Sequence, residues 1–429
     1  MVRNPASPSL DAAYLTYWSR WDPLTESQSL PVLRSLADSG YKIGLLTYEP
    51  SDKSVSPSDS ADLTEQGILW FPLRYHRRPP LFSTMWDALE GLRWCLRLKR
   101  QFGVRLFHSR GTVPAAPAAA ASTLTGAKFL YDADGPLSEE YVDAGHWSKR
   151  SVSYYLTRMA EGWCLRTADA VAVLTSVRRQ ELERYTANSI EVLPCAVDTD
   201  HFSYVPSARK RLREELGLIG TVMVYSGKWG GWYAVEEMME FVATARCYFP
   251  QLHLLVLTRD STDPFHAAAK RHGLADLLVV RAVAREKMPE YLSAADVGLS
   301  FVRPLPSKTA CSPVKNGEYL ACGLPIVTPQ GIGDYSDLIA RNQVGVLLKA
   351  LEPAAYHDVL TDLRSLLGDP HLRSRCRAIA EREVGLLQVV TPRYQRIYHE
   401  LIGAPGDESA LSGKAESEAG AKELPLTLR

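Results

Sequence analysis

Short apolar runs alternate with longer amphipathic stretches through most of the chain. In the first half, the runs at 13–18, 43–48, 105–108, 128–132, 170–174 and 190–194 predict strands. Between them, 29–39, 86–102, 113–124, 151–166 and 176–185 carry apolar residues at helical spacing. The pattern restarts after LPCAVDTDHF at 193–202 and a polar helix at 207–216. A second series of strands is expected at 221–226, 253–258, 277–281, 297–301, 325–328 and 344–348. Strand, helix, strand in repetition predicts parallel sheets with helices on both faces. Two series of similar length predict two doubly wound domains with a hinge near residue 200. Ligands of such sheets bind beyond the carboxyl ends of the strands, so the cleft between the domains is the expected site. Residues 356–367 and 372–383 read as helices, and Pro392 breaks the next stretch so that 393–402 starts afresh. The tail, 403–429, is Gly, Ala, Ser, Glu and Lys rich and reads as disordered.

Composition narrows the class. The 429 residues are 46% hydrophobic and 23% charged, the mix of an ordinary globular enzyme. Lys plus Arg equals Asp plus Glu, 49 each, so overall charge gives no reason to expect a nucleic-acid partner. The 7 cysteines are scattered without zinc-ligand spacing. The N-terminus has no apolar signal-peptide core, and a cytoplasmic protein is expected. The one membrane cue is a basic amphipathic stretch, Arg93, Arg97, Lys99 and Arg100 with Trp94, Leu96 and Leu98. It suits either peripheral contact at the inner face of an anionic membrane or a half-buried helix of the first domain, the reading preferred here.

The densest candidate chemistry lies in SPVKNGEYLACGLPIV at 312–327. Ser312 and Pro313 read as a helix start, serine capping and proline at the first helical position. Gly323 would stop that helix. Lys315 and Glu318, three apart, share a face. A helix N-terminus offers free N–H groups and partial positive charge to a phosphate, Lys315 adds a full charge, and Glu318 could accept hydrogen bonds from two ribose hydroxyls. Taken alone, the segment reads better as an amphipathic helix whose polar face carries one ion pair.

Other segments remove that ambiguity. YLACGLPIV after an acidic residue resembles the signature of the retaining glycosyltransferases of family 4. YLTYWSRWDPLTESQSLPVLR, LFHSRG, KFLYDADGPLSEEY, ADAVAVLTS, LPCAVDTDHF, VYSGKWGGWY and SAADVGL resemble further parts of that family in the same order, over roughly residues 12 to 400. The resemblance implies an α/β fold of GT-B type, two doubly wound Rossmann-like domains facing a central cleft. It implies an acceptor-binding domain at 1–198, a donor-binding domain at 199–385, and a helix at 386–402 crossing back to the first domain. The implied donor is a nucleotide sugar, UDP-sugar favoured and GDP-sugar possible. The implied acceptor is a small molecule or a lipid-linked glycan.

Roles carry over position by position. Glu318 matches the second Glu of the family's Glu-x7-Glu motif, which holds the ribose; the first falls at Ala310 and is missing. The loop 304–312 is expected to serve the donor sugar with backbone N–H groups instead. Gly227 and Lys228 match the first loop of the donor domain, where a basic residue meets the diphosphate. The family's second lysine falls at Tyr233, so Lys315 or Arg259 is expected to supply that charge, with Ser312 at the helix start. His108 matches a histidine beside the donor sugar. Asp22, Glu26 and Gln28 follow the first strand, and with Arg110 they are expected on the acceptor side. Asp134 stands where related sequences have Arg, which favours a hydroxyl- or amine-bearing acceptor over an anionic one.

The implied chemistry is retention by front-face displacement, since no carboxylate pair suits a nucleophile and an acid/base. Asp132 with Asp134, and Asp198 with Asp200, lie outside the donor loops, so no metal and no other cofactor is expected. The alternatives are a nucleotide-sugar epimerase of the same fold and a non-catalytic partner subunit.

Overall fold

The computed structural model describes residues 9–53 and 55–406. The tail expected to be disordered lies, from 407 onward, outside the described residues. A seven-stranded sheet is built from β1 (Ala12–Thr16), β2 (Ile43–Glu49), β3 (Ile68–Arg74), β4 (Leu106–Arg110), β5 (Lys128–Ala133), β6 (Ala170–Val173) and β7 (Ser189–Val192). Its order is β3-β2-β1-β4-β5-β6-β7. A six-stranded sheet holds β8 (Thr221–Ser226), β9 (Leu252–Leu257), β10 (Leu278–Arg281), β11 (Val297–Leu299), β12 (Ile326–Pro329) and β13 (Gly345–Leu348), ordered β10-β9-β8-β11-β12-β13. All five ladders of the second sheet are parallel. Two parallel-sheet Rossmann-like folds are therefore present, as the alternating pattern predicts.

The strands form where they do because both faces are covered. All five residues of β1 and all seven of β2 are buried, as in parallel sheets sandwiched between helices. In β8 the alternation is explicit: Val222 and Val224 join one apolar cluster, Met223 and Tyr225 the other.

β3 is absent from the strands expected above. Its sequence, ILWFPLR, contains Pro72, which cannot donate to a ladder. The strand lies at the sheet edge, where a missing donor is tolerated.

The chain divides into two compact units. One comprises residues up to 132, 164–171 and 392 onward; the other comprises 133–163 and 172–391. Residues 1–198 thus contribute to both. Within the second unit, residues 193–202 are tied to the far end of the chain: the Val197 N–H donates to Val384 O at 2.9 Å, and the Leu386 N–H to Val197 O at 2.8 Å.

Candidate functional site

In the six-stranded sheet the strand order reverses between β8 and β11. A ligand of such a sheet sits beyond the strand ends at that point. The chain following β8 is Gly227–Lys228, and the chain following β11 is the loop that ends at the helix Val314–Ala321. Tyr319 fixes this helix. Its ring lies against Gly298, where a Cβ would come within 2.3 Å of it, and its hydroxyl accepts from the Ser226 N–H at 2.8 Å. Gly323, at φ +74, ends the helix with no room for a side chain beside Arg373.

Ser312 does not cap the helix. Pro313 takes that position without a side-chain bond, and the buried Ser312 Oγ accepts from the Cys195 N–H at 3.1 Å. The bond ties the loop down ahead of the helix.

Lys315 is buried, and its Nζ has no hydrogen-bond partner among the described residues. The ammonium sits over two rings, 4.3 Å from the Tyr225 centroid and 4.5 Å from that of Tyr233. Such contacts compensate only part of the lost hydration. Burial pushes its pKa down to about 7, against the opposing pull of Glu318 and Cys311. Gly227 lies directly over it: a Cβ there would stand 2.6 Å from Nζ. Tyr233, the position of the missing second lysine, is thus a wall of the Lys315 pocket. No ion pair joins Lys315 to Glu318. The Glu318 carboxylate instead meets Arg285 at 2.9 Å, whose guanidinium also lies over the Phe202 ring.

Lys228 is exposed, and its backbone oxygen accepts from the Tyr225 hydroxyl at 2.7 Å. Arg259 is also exposed, its Nε donating to Val283 O at 3.4 Å. Ala310, where the motif's first Glu is missing, is 2% exposed. Two residues earlier stands a charge that sequence reasoning missed. The buried Lys308 pairs with Glu140 at 2.7 Å and lies 3.8 Å from the Trp232 ring centroid. Nearby, Asp143 accepts from the Ser307 N–H at 2.9 Å. The half-buried Asp134 acts on the same neighbourhood. The Cys311 thiol is pushed up to about 11, chiefly by burial, with Glu140 and Asp134 adding to the rise and Lys308 and Lys315 opposing it. This unit therefore gathers Gly227, Lys315, Glu318, Arg285, Lys308, Glu140 and Asp134 around the carboxyl ends of β8 and β11.

The other expected residues fall in the first unit. His108 is fully buried on β4, its Nδ1 2.9 Å from the Tyr398 hydroxyl and its ring edge-on to Tyr14. Burial, with Arg110 nearby, lowers its pKa to about 3, so the ring is neutral, and Nε2 has no partner among the described residues. Arg110 pairs with the buried Asp132 at 2.8 Å, and the Tyr394 hydroxyl donates to the same carboxylate oxygen at 2.9 Å. Burial still pushes the Asp132 pKa up. Asp22 accepts from the Leu24 N–H at 2.8 Å, a turn-forming bond. Glu26 is half-buried, and Gln28 is buried with its amide donating to Ser27 O at 2.9 Å. Among the described residues, His76, Asp87 and Glu90 alone group as metal-ligand types. There the Asp87 carboxylate is engaged by the Tyr17 hydroxyl at 2.7 Å and by the His76 ring at 2.5 Å.

Residues 26–196 match the glycosyl transferase 4-like domain. The match covers less than half of the chain and, with the relatives below, supports a glycosyltransferase of family 4 (group 1) type. The chain is similar to a D-inositol 3-phosphate glycosyltransferase of Acidothermus cellulolyticus, 27% identical over 46% of this chain and 44% of that protein. It is 25% identical to a GDP-mannose-dependent alpha-(1-6)-phosphatidylinositol monomannoside mannosyltransferase of Mycolicibacterium smegmatis, over 52% and 59%. The chain spans about half the length of the curated relatives it matches. Among solved structures, the sucrose-phosphate synthase of Thermosynechococcus elongatus matches with a TM-score of 0.72 at 17% identity, covering 92% of this chain and 100% of that one. The Anabaena protein HepE in complex with UDP and glucose matches at 0.68 and 14%, over 90% and 99%. These likenesses establish the GT-B fold.

Proposed function

We propose that this chain is a retaining glycosyltransferase of family 4 that uses a nucleotide-diphosphate sugar, a UDP-sugar first and a GDP-sugar second. The observation that carries the reading is the buried, unpartnered Lys315 ammonium under Gly227, at the helix start that follows β11. A diphosphate placed there would meet a cation, a side-chain-free turn and a helix N-terminus together. Glu318 would exchange Arg285 for the ribose hydroxyls. Lys228 and Arg259, both exposed, would close on the phosphates from the surface.

In the reaction, the acceptor hydroxyl attacks the anomeric carbon on the face from which the diphosphate leaves. The C–O bond to the diphosphate breaks as the new one forms, and the hydroxyl proton passes to a phosphate oxygen. Lys315 and the helix N–H groups stabilise the negative charge growing on the leaving group. Asp134 presents a carboxylate that favours an acceptor carrying hydroxyls or an amine, in glycan, glycolipid or natural-product biosynthesis. We place the enzyme in the cytoplasm. No metal takes part, so chelators leave the rate unchanged.

A thermal-shift panel of nucleotide sugars tests this reading, because a bound ligand raises the melting temperature by mass action. One UDP- or GDP-sugar should raise it most, and the shift should vanish in Glu318→Gln. A panel in which no nucleotide sugar shifts the protein would refute the reading.

A further inference from the structure

The N-terminal half of the helix Pro80–Phe102 exposes large apolar side chains: Phe82 (71%), Met85 (60%), Trp86 (53%) and Leu89 (43%). The spacing, i, i+3, i+4, i+7, puts all four on one face. The opposite face is core. Asp87, Cys95 and Leu98 are fully buried, and at Gly91 a Cβ would come within 2.3 Å of the Tyr48 hydroxyl.

The exposed face continues as a row of cations. Arg93, Arg97 and Arg100 follow at the same rotation and are exposed, and exposed Arg77 and Arg78 precede the helix. None of these five forms an ion pair among the described residues. Asp87 is buried and held by Tyr17 and His76, and Glu90 is turned aside by roughly 80° at 100° per residue. The face is thus apolar along one half and cationic along the other. Its four apolar side chains expose roughly 400 Å², well under the ~800 Å² per partner of a stable protein interface.

We propose that this face docks the protein on an anionic phospholipid bilayer, with Phe82, Met85, Trp86 and Leu89 entering the headgroup–acyl boundary and Arg93, Arg97 and Arg100 meeting lipid phosphates. Aromatic and aliphatic anchors beside unpaired arginines are the chemistry of an interfacial helix. A second exposed stripe, Val152, Tyr155, Leu156 and Met159, carries less of this charge: Lys149 and Arg158 beside it both pair with Glu139, which leaves exposed Arg150 against the three arginines of the first face. The inference is independent of sugar transfer, since lipid binding needs neither donor nor acceptor.

Co-sedimentation of the full chain with vesicles tests it. Binding is expected to phosphatidylglycerol-containing vesicles, and not to phosphatidylcholine alone. Phe82→Ser with Trp86→Ser should abolish it. Arg93→Gln, Arg97→Gln and Arg100→Gln together should weaken it roughly 100-fold, about fivefold per arginine. Tyr155→Ser with Met159→Ser should leave it unchanged. Circular dichroism checks that each variant is folded. Failure of the wild type to bind anionic vesicles would overturn the proposal. So would equal binding by the Phe82/Trp86 variant, or self-association that the same variant abolishes.

Discussion

Replacing Lys315 with Met should stabilise the ligand-free protein and weaken nucleotide binding. In the unfolded chain this amine titrates at its ordinary value of 10.5; in the folded protein, burial lowers it to about 7. Near pH 7 the unfolded state therefore binds more protons, and stability rises with pH between about 7 and 10.5. At about 1.4 kcal/mol per pH unit, holding the charged form near neutrality costs about 4 kcal/mol. Methionine fills similar volume without that cost, so its melting temperature at pH 7 should exceed that of the wild type, and the gap should close by pH 10. A diphosphate reverses the balance by restoring the charged amine. At pH 8, where the free amine is mostly neutral, nucleoside diphosphate binding should take up about 0.9 proton, against about 0.1 at pH 6. Calorimetry in two buffers of different ionisation enthalpy reads this directly. Lys315→Met should take up none and should bind about 100-fold more weakly, the scale of truncating one partner of a buried charge pair. A Lys315→Met protein that melts lower at pH 7, or binds nucleotide as tightly as the wild type, would refute the reasoning.

Gly227→Ala should cost at least tenfold in donor affinity and also lower the melting temperature, because at φ +154 a side chain is strained and its Cβ would stand 2.6 Å from Lys315 Nζ and 3.0 Å from the Tyr225 hydroxyl; calorimetry and thermal melts measure the two. Arg110→Ala should lower stability by about 3–5 kcal/mol, since it leaves the buried Asp132 carboxylate without its cation; urea unfolding measures this. Asp134→Arg should shift acceptor preference toward phosphate-bearing acceptors. A wild type that already prefers them in side-by-side rate measurements contradicts the role given to Asp134.

The strand series was legible because buried parallel strands are apolar on both faces, which leaves little ambiguity in runs such as TVMVYS of β8. β3 escaped because Pro72 argues against a strand unless the edge position is known. In the donor half, Glu318 and Lys315 could be named only through the family resemblance, and their partners could not be named at all. Arg285 meets Glu318 across 33 residues of chain, and Tyr225 and Tyr233 look like ordinary strand and loop aromatics until the fold brings them around one ammonium. The expected cap at Ser312 is taken by Pro313 instead, because the Ser312 hydroxyl accepts from the Cys195 N–H rather than from the helix. Lys308 and Glu140 were out of reach because nothing in either local sequence announces a pair 168 residues apart.

The most direct test of the central claim is nucleotide release by the purified full chain, measured across a panel of UDP- and GDP-sugars with and without candidate hydroxyl- and amine-bearing acceptors. The account predicts acceptor-dependent release of one nucleoside diphosphate, a product linkage of the same anomeric configuration as the donor, and loss of both in Glu318→Gln. Release of no nucleotide under any pairing, an inverted linkage, or an epimerised sugar formed without acceptor would contradict it.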